Sequence, residues 1–214
     1  MPTQKLLILG SRIFAEEVAD LASDVPGIEV AGFIENQDRQ RSASPLLGLP
    51  VYWIDELTRL AKDHLVISGI GTTHRIHYID EVQKYHARFA TLVHPTARVS
   101  RTSTVGEGSI LNVGSIIAAH SVLGNHVIVN RAALIGHHVA IGDCVTIGPG
   151  ANIAGKCNIG NGAYISMSAV VIDRITIGEN SIVGAGAVVT KDVPANVQVV
   201  GIPARIVKEG ITGR

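Results

Sequence analysis

The chain has 214 residues, enough for one or two domains, and is 46% hydrophobic but only 4% aromatic. Eighteen basic side chains balance eighteen acidic ones, so the formal net charge is zero and nothing marks a nucleic-acid or anionic-membrane binder. No apolar run approaches the roughly 18 residues of a membrane span, the opening MPTQKLLILG reads as a strand rather than a signal peptide, and a cytoplasmic location is expected.

Residues 4–10 read as a buried strand ending at a glycine, and Ile13 to Ala22 as a helix with Phe14, Val18, Leu21 and Ala22 on one face. A second strand is predicted over Glu29 to Ile34, ending at Glu35-Asn36. A polar loop with Pro45, Gly48 and Pro50 follows, then a short helix over Ile54 to Ala61. His64 to Ser68 reads as a third strand, Thr73 to Tyr85 as a helix, and Ala90 to Leu92 as the lead into what comes next. Strands alternating with helices imply a small parallel α/β domain, Rossmann-like but incomplete, over residues 1–92.

Ligands bind such sheets beyond the carboxyl ends of the strands. That singles out Gly10-Ser11-Arg12, Glu35-Asn36 and Gly71-Thr72-Thr73-His74. The first turn is not a full G-x-G-x-x-G. The helix N-terminus and Arg12 suit a phosphate; equally, Gly10 would simply end a strand and leave Arg12 solvated.

From Val93 to Val189 every sixth residue, seventeen in succession, is Val, Leu or Ile. Four residues after each comes a second site of limited size, such as Ser109, Ala133, Ala151 or Ala163. A fixed six-residue period means a hexapeptide β-helix over residues 93–214. Both sites face inward because strand side chains alternate, and the residues between them make corners eased by Gly, Asn and Asp. Three sides close a coil of 18 residues, and coils stack at roughly 4.8 Å. His120 and His138 fall one coil apart, within roughly 5 Å of each other. The sequence leaves open whether they form a substrate-contacting pair or two solvated imidazoles stacked by the repeat. Cys144 and Cys157 lack metal-ligand spacing, and Cys157 falls on an inward site as a reduced core thiol. After the repeats, Val199 to Lys208 could cap the open end of the solenoid.

Several stretches resemble the sugar O- and N-acyltransferase family, in which a small α/β domain precedes a left-handed parallel β-helix. They are Lys5-Leu-Leu-Ile-Leu-Gly10, Gly32-Phe-Ile-Glu-Asn36, Leu92-Val-His-Pro-Thr-Ala97, Asn130-Arg-Ala-Ala-Leu-Ile-Gly-His137 and Val200-Gly-Ile-Pro-Ala-Arg205. The resemblance implies a homotrimer with active sites between subunits. It implies direct acetyl transfer from acetyl-CoA to the amino group of a nucleotide-linked amino sugar. Its alternative acceptor is a sugar hydroxyl, as in sialic acid O-acetylation. No metal is expected.

By the same resemblance His137 is the general base, since a neutral imidazole of ordinary pKa, about 6.5, accepts a proton at cellular pH. Where the family often has an acid next, this chain has His138, which either takes over the basic or orienting role or leaves the charge to Asp143 or a neighbouring subunit. Thr146, Gly155, Met167 and Ala185 match coenzyme contacts, with the Gly155 N–H aimed at the thioester oxygen. Arg12, Ile13, Phe14, Glu35, Asn36, Gly71 and His74 match sugar-nucleotide contacts, and Asn130 sits near the acceptor. The family's Gly-His-Gly turn is Ile13-Phe14-Ala15 here. Two other classes compete. One is a zinc carbonic anhydrase on a similar prism, using three of His120, His126, His137 and His138. The other is a non-catalytic sugar-nucleotide-binding scaffold.

Overall fold

The computed structural model describes residues 3–214; Met1 and Pro2, the first residues of the opening stretch, lie outside the described residues. The chain divides into two compact units. The first holds residues 3–71 and 75–95, the second residues 72–74 and 96–214. The boundary expected between 92 and 93 therefore lies three residues later, and 72–74 pass to the second unit.

In the first unit the elements run β1 (Gln4–Leu9), α1 (Ile13–Ser23), β2 (Ile28–Glu35), β3 (Val51–Trp53), a one-turn 3₁₀ segment Ile54–Glu56 continuing into α2 (Leu57–Leu60), β4 (His64–Ser68), α3 (Arg75–Gln83) and β5 (Arg88–Phe89). The five strands form one parallel sheet in the order β3-β2-β1-β4-β5. Continuous apolar runs such as Leu6-Leu7-Ile8-Leu9, all fully buried, suit a central parallel strand. Sheet residues Leu7, Leu9, Ile34 and Val66 pack with Ile54, Leu57, Leu60, Tyr78 and Val82 in one cluster. Strand β3 follows the turn around Pro50 and pairs Phe33 with Val51.

Gly69, just past β4, shows how tightly α1 seats on the sheet. A Cβ there would lie 2.7 Å from Ile8 Cγ2 and 2.8 Å from Ala15 Cβ. Both neighbours are fully buried, so neither can move aside freely. Gly69→Ala is expected to destabilise the protein by about 1–3 kcal/mol, the usual cost of overpacking. Urea unfolding at neutral pH measures it.

The second unit is the solenoid. Two-residue strands stack in parallel into three faces, each partner 18 residues on, as in Ile116↔Leu134↔Asn152. The first face runs from Arg98–Val99 to Val188–Val189, the second from Thr104–Val105 to Thr176–Ile177. The third continues through Ile182–Val183 to Val197–Val200 and a final antiparallel strand, Arg205–Glu209. This last hairpin extends the third sheet by one exposed antiparallel strand. The hexad aliphatics Ile135, Ile147, Ile153, Ile165 and Val171 are 0–2% exposed. Cys144 and Cys157 are free and buried. Inward serines close hydrogen bonds between coils: Ser121 Oγ donates to Gly136 O at 2.8 Å and accepts from the Val139 N–H at 3.1 Å. From Gly108 to Gly186 one residue per corner is left-handed, including His120 (φ +60°), His126 (+56°), His138 (+57°) and Lys156 (+62°). This is the positive φ a type II turn requires at its third residue.

Candidate active site

Strand Leu134–Ile135 leaves the first face and turns through Gly136, His137 and His138 before strand Ala140–Ile141 begins the second. Inward alternation puts Ile135 in the core and the next residues on the corner, so both imidazoles are exposed. The corner backbone is fixed from both sides. His138 N–H donates to Ala119 O at 2.9 Å, and Lys156 N–H donates to His137 O at 2.8 Å.

Gly155 stands one coil beyond His137. A Cβ at Gly155 would lie 2.7 Å from both Cε1 and Nε2 of the His137 ring, so the ring lies against a backbone with no side chain in the way. The opposite ring nitrogen, Nδ1, is 3.1 Å from Nδ1 of His138. The two rings meet edge to face at 5.3 Å, and His138 stacks on His120 at 4.8 Å between centroids. Desolvation and then the neighbouring His120, His137 and Lys156 push the His138 pKa below its ordinary value.

At the next corner, between the second and third faces, Asn and Asp side chains cap the backbone. The N–H groups of Glu107, Asn125 and Asp143 donate to Asn125, Asp143 and Asn161 at 2.7–3.1 Å. The His137 corner lacks that ladder, and the Gly155 N–H has no acceptor among the described residues. An exposed base beside an uncommitted backbone donor can take a proton from a nucleophile and steady an oxyanion.

The other expected coenzyme contacts divide. Met167, 58% exposed, and Ala185 stack one coil apart on the corner between the third and first faces. Thr146 is 1% exposed, so its side chain is not open to a ligand beside this chain. Asn130 also differs from expectation. It is 8% exposed, and its side-chain amide donates to Ile147 O at 3.1 Å, a structural bond between coils. His126, buried at 5%, sits on a different corner from His120, His137 and His138. Among the described residues no three His, Cys, Asp or Glu side chains are gathered as a metal seat.

The first unit holds a cleft of about 220 Å³ at the carboxyl ends of its strands. Arg12, Phe14, Glu35, Asn36 and Gly71 line it, together with Ser11, Gln37, Ile70 and Tyr78. Exposed Ile13 stands beside Arg12, the N-cap residue of α1, whose side chain makes no capping bond. Glu35 serves the cleft as an anchor. One oxygen accepts from the Ser11 hydroxyl; the other accepts from the N–H groups of Asn36, Gln37 and Asp38 at 2.8–3.2 Å. Burial pushes its pKa up, but the Ser11 hydroxyl and those amides outweigh this and hold the carboxyl below its ordinary value. Asn36 donates to Glu81 at 2.6 Å, and the Tyr78 hydroxyl donates to Ile34 O at 2.8 Å. His74 is not in this cleft: it belongs to the second unit, where Nε2 meets Thr212 O at 3.1 Å. Ser11 lies in the strand-end turn that the sequence singled out, whereas Tyr78, inside α3, carried no sequence signal.

Glu35→Gln is expected to lower stability at pH 7 by about 1–2 kcal/mol, the scale of hydrogen bonds to a charged acceptor. Because the folded pKa is depressed, this stabilisation is present above the unfolded carboxylate value of about 4.3 and is lost as pH falls through the folded value. Denaturant unfolding at pH 7 and pH 3 should show the gap between the two proteins closing in acid.

The profile of the family described as "Bacterial transferase hexapeptide (six repeats)" matches residues 156–191. Galactoside O-acetyltransferase of Escherichia coli K12 is 47% identical over 46 residues, 22% of this chain. The matched stretch spans about a quarter of that protein's length (23%). A histidine-to-asparagine variant of perosamine N-acetyltransferase from Caulobacter crescentus, solved with CoA and GDP-perosamine, superposes with a TM-score of 0.89. It is 28% identical, over 96% of this chain and 97% of that one. WeeI from Acinetobacter baumannii AYE superposes with a TM-score of 0.85 at 30% identity, over 96% of this chain and 100% of that one.

Proposed function

The chain belongs to the hexapeptide-repeat sugar acyltransferases, and from that premise we propose that it moves an acetyl group from acetyl-CoA to the amino group of a nucleotide-linked amino sugar. The observation that carries this is the exposed His137 ring lying against Gly155, whose N–H has no acceptor among the described residues. In the transfer, the amine lone pair attacks the thioester carbonyl carbon while His137 Nε2 takes an amine proton. The Gly155 N–H donates to the developing oxyanion. The carbon–sulfur bond then breaks, and the departing thiolate recovers the proton from His137. Transfer is direct, with no acyl-enzyme.

The α/β cleft takes the nucleotide, with Arg12 at its rim for a phosphate. The Caulobacter enzyme's GDP-linked sugar makes GDP the first nucleotide to test.

Two features support a homotrimer with sites between subunits. The first face carries outward apolar residues, Ile116 (40% exposed), Leu134 (39%) and Val170 (38%), with Asn152 between the last two, and they suit burial against another copy. That face separates the His137–Gly155 edge from the Met167–Ala185 edge by up to about 20 Å, six residues of extended chain. One coenzyme touching both edges is most simply served by edges from two copies.

The test is thiol release from acetyl-CoA with GDP-, UDP- and dTDP-linked amino sugars and with free sialic acid, products weighed by mass spectrometry. An N-acetylated nucleotide sugar is expected. Release with sialic acid alone would move the acceptor to a hydroxyl, and no release with any acceptor would overturn the activity.

A further inference from the structure

The contact between His137 and His138 has a chemical direction. Two imidazole Nδ1 atoms 3.1 Å apart attract only if one carries a hydrogen and the other a lone pair. Two lone pairs, or two N–H groups, would repel.

What surrounds the pair bears on which ring accepts. His138 faces His137 on its own turn, His120 from the coil before and Lys156 from the coil after, all of them cations or potential cations. Among the described residues no carboxylate lies in ion-pair range of His120, His137 or His138. Arg174, one coil past Lys156 in the same column, is paired with Asp173 at 2.9 Å. An imidazolium at His138, the form that must donate from Nδ1, is therefore disfavoured, which leaves its Nδ1 free to accept. The ring orientation of His137 agrees, with Nδ1 toward His138 and Nε2 on the side against Gly155.

We infer that His138 is a positioning residue, its unprotonated Nδ1 accepting a hydrogen bond from the Nδ1–H of His137 and so holding the base in the tautomer with a free Nε2 lone pair. This rests on the reading of His137 as the base. A free imidazole favours the opposite tautomer, with the hydrogen on Nε2, which cannot accept the substrate's proton there. When His137 takes that proton, its Nδ1–H bond to neutral His138 strengthens as a charge-assisted bond. The proton stays on His137 until the thiolate takes it.

His138 is left-handed (φ +57°), so His138→Gly removes the ring without backbone strain. Selective ¹⁵N labelling of histidine reads the tautomer in the protein without substrate. His137 is expected mainly as the Nδ1–H form in the wild-type protein and mainly as the Nε2–H form in His138→Gly. With His138→Gly, kcat should fall about tenfold, the scale of losing an orienting partner, with KM for acetyl-CoA unchanged. His138→Asn, with a carbonyl acceptor and tolerance for positive φ, should restore tautomer and rate. His138→Glu should restore the rate and move the acid limb of the kcat/KM profile to higher pH, because a carboxylate favours the His137 imidazolium.

A wild-type tautomer and pH profile in His138→Gly would overturn the inference. That failure is separable: if His137→Ala leaves turnover intact, the base itself is misassigned. If His137→Ala abolishes turnover while His138→Gly changes neither tautomer nor profile, only the role of His138 is wrong.

Discussion

His137→Ala is expected to lower kcat by about 10²–10⁴-fold, the usual contribution of a positioned general base. The loss should fall on kcat, because a ring acting as the proposed base meets a proton that moves only in the transition state. Folding should be nearly unaffected. The ring is exposed, and the corner is held by backbone bonds that alanine retains, His138 N–H to Ala119 O and Lys156 N–H to His137 O. Steady-state kinetics with the sugar acceptor, alongside a thermal melt, checks both halves. A variant that melts like the parent and turns over like it would remove His137 from the chemistry.

Gly155→Ala tests the same corner from the other side. Gly155 is not among the residues with positive φ, so the backbone accepts alanine without strain. The methyl group, however, arrives 2.7 Å from Cε1 and Nε2 of His137, inside van der Waals contact. The imidazole is exposed and can swing away, so the adjustment costs little stability and moves the proposed base. Misplacement by about 1 Å can cost 10²-fold in rate, and a loss of about 10–100-fold in kcat is expected for this variant. Combined with His137→Ala, the second substitution should add little, because the two act on one group. Full additivity of the two losses would mean that Gly155 acts independently of the ring.

The solenoid was legible because its signal repeats. Each hexad places one branched aliphatic inward, and the same physics acts at every coil from Val99 to Val189. The 18-residue period also carried the stacking of His120 on His138, observed at 4.8 Å. His137 was legible as an exposed corner, since Ile135 fixed the phase. Individual side-chain commitments were not. Asn130 looks like any polar corner residue until the carbonyl of Ile147 is found beside it. His74 reads as a strand-end ligand, yet it is bound by Thr212, 138 residues away in sequence. Thr146 alternates outward in phase with exposed neighbours such as Ala140 and Asn152 but is itself buried, which no local pattern reveals. In the first unit β4 fell where expected, while β3 was hidden by its three-residue length beside Pro50. Glu35 was expected at a ligand; its lone pairs are instead spent on Ser11 and three amides.

The stacked coils also limit how this half of the chain can change length. A single-residue deletion between His137 and Gly155 would throw every following aliphatic out of phase, flipping core side chains to solvent. Removing 18 residues at once would return each strand to an equivalent partner. Indels here are quantised in whole turns, so relatives should differ in solenoid length by complete coils while keeping the glycine that follows the histidine at one fixed offset.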